Sequence, residues 1–125
     1  MITGSVNSEH EALVRLTVLG PTGERADVEA LVDTGSDGYL TLPPDLIERL
    51  QLPWLQSGQA VLADGTETVF DIHGGSVRWG GESRRVLIDV IDSAPLIGTA
   101  LLAEHEVTIQ VTPGGEVAIR PLRPA

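Results

Sequence analysis

Apolar and polar residues alternate with a period of two along most of the chain, which is the signature of strands with one face buried. Leu13-Val14-Arg15-Leu16-Thr17-Val18-Leu19 predicts a strand, Gly20-Pro21-Thr22-Gly23 a turn, and Ala26–Val32 an antiparallel partner that runs straight into Asp33. Tyr39–Leu42 predicts a short strand. Pro43-Pro44-Asp45 then opens a short helix reaching Leu50, with proline in the first turn and an acid favoured by the helix dipole, and Pro53 closes that segment. Gln59–Phe70 reads as a hairpin with its tip at Ala63-Asp64-Gly65-Thr66, because Asp-Gly between β-prone arms favours a tight primed turn. Strands are predicted at Ser76–Trp79 and Arg84–Ile91, joined by Gly80-Gly81-Glu82. The apolar run Pro95–Leu102 predicts a strand that stops at Gly98 and passes into a short helix. Glu106–Val111 and Glu116–Arg120 flank the turn Pro113-Gly114-Gly115. The expectation is one mostly β domain over residues 1–125, with its core at about 12–120 and the ends 1–8 and 121–125 disordered or dimer-forming.

A chain of 125 residues that is 42% hydrophobic can build one real core and has little left for a second. Cysteine is absent, so disulfides, thiolate nucleophiles and thiolate metal sites are excluded. The formal charge of −10 argues against a nucleic-acid partner, because phosphate contacts need a basic face and the eight cations are scattered. All eight are arginines, and the lack of lysine excludes Schiff-base chemistry and a phosphate-loop lysine. No stretch is apolar and long enough to cross a bilayer, and Met1-Ile2-Thr3-Gly4-Ser5 lacks the basic start of a signal peptide, so a soluble, cytoplasmic protein is expected.

No metal or cofactor is expected. His10, His73 and His105 share no ligand spacing. The stretch from Asp33 to Asp37-Gly38 fails as a calcium loop, because Gly35 occupies the third position and Pro44 the twelfth, where ligands are required. His73-Gly74-Gly75-Ser76 echoes an oxyanion loop, but no Gly-x-Ser-x-Gly elbow accompanies it, so Gly74-Gly75 is expected to connect two strands.

Asp33 is the leading catalytic candidate. An apolar strand that ends on an acid delivers it to the edge of a packed core, where desolvation prepares a carboxyl for proton transfer. The run Ala30-Leu31-Val32-Asp33-Thr34-Gly35-Ser36-Asp37-Gly38, followed far downstream by Leu96-Ile97-Gly98 and a Leu-Leu helix, resembles the retropepsin-like aspartic proteases, single-domain relatives of the retroviral enzymes. The resemblance extends from about Val14 to Val111 and implies a small closed β-barrel-like domain with one or two short helices and a flap hairpin.

By that resemblance Asp33 matches the catalytic aspartate, Thr34 the threonine whose hydroxyl reaches the partner subunit's backbone, and Gly35 the glycine that lets substrate approach. Asp37 matches an acid that contacts bound peptide or supports the dimer. Ala63-Asp64-Gly65-Thr66 looks like the flap tip, with Gly74-Gly75 the alternative, and Leu96-Ile97-Gly98 like the strand beneath the active-site loop. The family places a polar pair after that glycine, where this chain has Thr99-Ala100. The resemblance also implies terminal strands interleaved between subunits, for which Glu116–Arg120 has suitable alternation and Ile2–Asn7 is a second contributor.

Peptide hydrolysis without metal or covalent intermediate needs one group to take a proton from water and another to give one to the carbonyl oxygen. Two carboxylates sharing a single proton do both. This chain has no second Asp-Thr-Gly or Asp-Ser-Gly, so the reading is a homodimeric aspartic endopeptidase acting on peptide or protein. Ser36 is expected either to donate its hydroxyl to Asp33 or to bond its own backbone as a turn residue. The alternative function is an inactive peptide-binding or dimerisation module of the same fold.

Overall fold

The computed structural model describes residues 1–123. Among them the elements follow as β1 (Ile2–Val6), β2 (Ala12–Leu19), β3 (Arg25–Val32), β4 (Leu40–Leu42), α1 (Pro44–Arg49), β5 (Trp54–Val61), β6 (Glu67–Trp79), β7 (Glu82–Val90), β8 (Leu96–Ile97), α2 (Thr99–Leu102), β9 (His105–Ile109) and β10 (Glu116–Pro121). The period-two pattern does what it predicts. In β2 the residues Ala12, Val14, Leu16 and Val18 are buried, and in β3 Ala26, Val28 and Ala30 are buried opposite them, while Arg15, Asp27 and Glu29 face water.

The strands form one sheet in the order β5-β6-β7-β4-β8-β3-β2-β1-β10-β9, and a further pairing of β2 with β6 closes six of them into a barrel. Closure divides the second edge of β2. Its first residues pair with β1 through Ser5↔Leu13 and Val6↔Ala12, and its last with β6 through Val18↔Val77 and Leu19↔Ser76. A single core cluster contains Val14 and Val18 of β2, Leu40 and Leu42 of β4, Ile88 of β7, Ile97 of β8 and Val117 and Ile119 of β10.

Three features depart from the sequence-based expectation. The first is that β6 is one strand of 13 residues, so Gly74-Gly75 neither connects two strands nor forms the flap tip. These glycines are there for packing: a Cβ on Gly75 would lie 2.8 Å from Ile88 Cδ1 and 3.2 Å from Leu52 Cδ2. The second is the hairpin tip, which is wider than a two-residue primed turn. The Gly65 N–H donates to the Leu62 carbonyl at 2.9 Å and the Leu62 N–H to the Thr66 carbonyl at 2.7 Å, with Gly65 in the left-handed region at φ 85°. Ala63 and Asp64 keep negative φ, so only the glycine takes the conformation that a primed turn would demand of two residues.

The third departure concerns the ends. Ile2–Val6 is an ordered strand, and β10 lies between β1 and β9, so both its edges are paired within the chain. Interleaving this strand with another subunit would break those ladders. Of the expected end segment 121–125, residues 124–125 lie outside the described residues.

Ile97 stands fully buried between Val32 on one side and Leu40 on the other, at the middle of the barrel wall. Ile97→Ala is expected to cost about 2–5 kcal/mol of folding stability, measured by urea unfolding. A loss below about 1 kcal/mol would mean that the wall closes over the gap.

Candidate active site

The short strand β8 splits β3 from β4. It runs parallel to β3 through Leu31↔Leu96 and Val32↔Ile97, and antiparallel to β4 through Leu40↔Ile97 and Thr41↔Leu96. The loop from Asp33 to Tyr39 must therefore arch over the end of β8, directly onto Gly98. The Asp33 N–H donates to the Ile97 carbonyl at 2.9 Å and the Gly98 N–H to the Tyr39 carbonyl at 3.0 Å, so both feet of the arch are tied to the same strand end. Its crown is tied to α2. Thr99 donates its N–H at 2.8 Å and its hydroxyl at 3.2 Å to the Ser36 carbonyl, and the Ala100 N–H donates to the Gly38 carbonyl at 3.1 Å.

This contact requires glycine at 98. Its φ is an ordinary −94°, but a Cβ there would lie 2.2 Å from the Gly38 carbonyl oxygen. The constraint is space, not backbone conformation. The residues Leu96, Ile97 and Gly98 thus lie beneath the loop and carry its two feet.

Within the arch, Asp33 is half-buried and its carboxylate accepts the Gly35 N–H at 2.9 Å, while Thr34 and Gly35 are exposed. Ser36 works through its backbone: its N–H donates to the Asp33 carbonyl at 3.2 Å and its carbonyl receives Thr99. Among the described residues its hydroxyl makes no bond to the Asp33 carboxylate. Asp37 is exposed and faces a second acid that sequence reasoning missed. Asp89, on β7, places Oδ2 2.7 Å from where a Gly38 Cβ would be, and partial burial, followed by the charge of Asp37, raises its pKa above the usual carboxylate value. Nothing in the sequence marks Asp89, because strand neighbours such as Thr41↔Asp89 are fixed by a parallel pairing between distant segments.

Ala63-Asp64-Gly65-Thr66 sits at the end of the β5–β6 hairpin, which projects from the barrel with Val61, Leu62 and Val69 exposed. Asp64 accepts the Thr66 N–H at 2.9 Å and hydroxyl at 2.6 Å, bonds that hold its carboxyl below the usual range and shape the tip. A cavity of about 480 Å³ lies at the root of this hairpin, lined by residues including Tyr39, Leu55, Gly74 and Arg85. It does not include Asp33.

An aspartate on a strand-end loop, floored by an apolar-apolar-glycine strand and accompanied by a projecting hairpin, is an arrangement that can be compared with known proteins. The family model described as aspartyl protease matches residues 14–117. The chain belongs to the aspartyl protease family. In fold it is similar to a retropepsin-like aspartic protease from Rickettsia conorii, with a TM-score of 0.60 over 95% of this chain and 89% of that one, at 17% identity. Comparison with curated proteins finds no match. In this chain the arch is braced by Thr99, one of the two residues that stand where the resemblance implied a polar pair.

Two substitutions check this geometry. Gly98→Ala is expected to destabilise the protein by at least about 1–3 kcal/mol, read as a lowered thermal midpoint, because backbone atoms must move apart. For Asp89, a raised folded pKa means that the neutral form suits the folded state, so its favourable contribution is complete below the unfolded pKa and is lost as pH rises through the folded one. Asp89→Asn should therefore be more stable than wild type at pH 7 and no more stable at pH 3. Parallel urea titrations at the two values test this, and an identical difference at both would show that Asp89 ionisation is not felt by the fold.

Proposed function

We propose that the protein is an aspartic endopeptidase in which Asp33 of two identical chains forms one catalytic dyad on a two-fold axis. The observation that carries this reading is the placement of Asp33: a half-buried carboxylate on an arch fixed at both feet and at its crown, beside two exposed small residues, in a chain with one such motif. Two of these carboxylates held close together cannot both ionise, so the pair carries one proton and titrates as a unit.

The ionised member takes a proton from water as the oxygen attacks the peptide carbonyl carbon, and the protonated member donates to the carbonyl oxygen. Collapse of the tetrahedral intermediate returns a proton to the departing nitrogen and regenerates the shared-proton state. Gly35 leaves room for substrate backbone next to the acid. Thr34, exposed in the single chain, has its hydroxyl free to bond across the axis. The hairpin with Ala63, Asp64, Gly65 and Thr66 at its tip supplies the lid, and an extended peptide between lid and arch pairs through its backbone while alternate side chains enter pockets. The brace from Thr99 to Ser36 favours this over the inactive-module reading, since the arch is held although the expected polar pair is absent.

A proteome-derived peptide library incubated with wild type and with Asp33→Asn tests the proposal. Cleavage should fall by about 10²–10⁴-fold in the variant, while circular dichroism and sedimentation behaviour stay those of wild type. Undiminished cleavage by Asp33→Asn would remove Asp33 from the reaction.

A further inference from the structure

We propose that the cavity at the root of the β5–β6 hairpin binds a fatty acid of medium chain length, with its carboxylate on Arg85 and its tail toward Leu87 and Leu55. The site is separate from Asp33 and stands whether or not the dyad reading does. Its volume of about 480 Å³ lies in the range that holds a small ligand. The wall is mostly apolar, with Leu19, Pro21, Pro53 and Val86 among its residues, and no acid lines it although the chain carries 18.

The ladder of β6 with β7 sets the order of groups along the floor. Arg85 pairs with Ser76 and, two residues on, Leu87 pairs with Gly74. Side chains of paired residues share a face, as do those two apart in a strand, so these four positions line one side of the sheet. A charged and a hydroxyl-bearing residue therefore stand about 7 Å from an apolar position. At that apolar end Gly74 contributes no side chain, and Leu55 closes over it: a Cβ on Gly74 would lie 3.0 Å from Leu55 Cδ1. Leu55 and Leu87 are still 49% and 40% exposed, so a tail between them buries apolar surface that the fold leaves in water.

Two adjacent arginines have different duties here. Arg84 is engaged, with its guanidinium carbon 5.7 Å from the centre of the Tyr39 ring and Nη1 donating to the Leu101 carbonyl at 3.3 Å. Arg85 is exposed and, among the described residues, makes no ion pair or hydrogen bond through its side chain. A guanidinium with its donors open at the rim of an apolar cavity suits a carboxylate. The net charge of −10 opposes an anion only weakly at a distance, since physiological salt screens beyond about 8 Å, so the local cation decides. A peptide is the poorer occupant. Its amides would need partners, and strand backbone groups lie in the plane of the sheet, not out of the face that floors the cavity. The tail rests against Leu55 at the hairpin root and against Tyr39, whose carbonyl accepts the Gly98 N–H at a foot of the arch.

Calorimetric titration of the full chain with octanoate at neutral pH tests the site. Octanoate should bind with a dissociation constant on the order of 10⁻⁴ M. Octylammonium, with the same tail and the opposite charge, and acetyl-leucyl-leucine, a peptide carboxylate, should each bind at least about 10-fold more weakly. Arg85→Gln, a change at an exposed position, should weaken octanoate about 10-fold with an unchanged circular dichroism spectrum. In amide NMR spectra of the wild type, octanoate should shift Gly74, Ser76, Arg85 and Leu87 and leave Val61 and Leu62 near the hairpin tip in place. Equal affinity of wild type and Arg85→Gln, or shifts confined to the hairpin tip, overturns the site. So does octylammonium or the dipeptide matching octanoate, or no octanoate bound at about 10⁻³ M.

Discussion

The close crossing of two backbone segments, Gly98 against Gly38, is the constraint on which the site depends. A space of 2.2 Å between a notional Cβ and a carbonyl oxygen admits no side chain. Because nothing intervenes, the hydrogen bonds from Gly98, Thr99 and Ala100 to Tyr39, Ser36 and Gly38 can all form at once. They convert a seven-residue connection, which by itself has many conformations to lose, into an arch with fixed ends and a fixed crown. Asp33 inherits its position from that arch.

The barrel is the frame that brings the crossing about. β8 has only two residues, too few to be stable alone, yet Ile97 is gripped by β3 on one side and β4 on the other. Parallel pairing of β3 with β8 joins segments more than sixty residues apart, and the β2–β6 pairing closes the wall around them. Packing therefore fixes the floor of the site, and hydrogen bonds fix its roofline. The charged groups near the site are left mostly in water, apart from Asp89, which is held partly buried behind Gly38.

The same economy shapes the outer strands. β10 is used on both sides within its own chain, which leaves the short, regular β9 as the exposed end of the sheet beside the arch.

Much of this was legible in the sequence because it is local. Period-two alternation located β2, β3, β7, β9 and β10, and Pro43-Pro44-Asp45 located α1, while the loop and the strand beneath it were implied by the family resemblance of Asp33-Thr34-Gly35 and Leu96-Ile97-Gly98. Local signals misled where a residue served a distant contact. Gly74-Gly75 reads as a break between strands but lies within an unbroken one, with Gly74 making room for Leu55 and Gly75 for Leu52 and Ile88. The polarity of Thr3 and Ser5 reads as disorder, but the backbone of β1 is claimed by β10 and β2. Thr99 and Asp89 carry no mark of their roles at all. The sequence by itself determined the strands, the turn residues and the candidate acid, since each follows from the chemistry of neighbouring side chains. Only the tertiary structure decided which edges are occupied, what braces the arch and which acid stands behind it, because pairing partners far apart in the chain are selected by burial in a shared core.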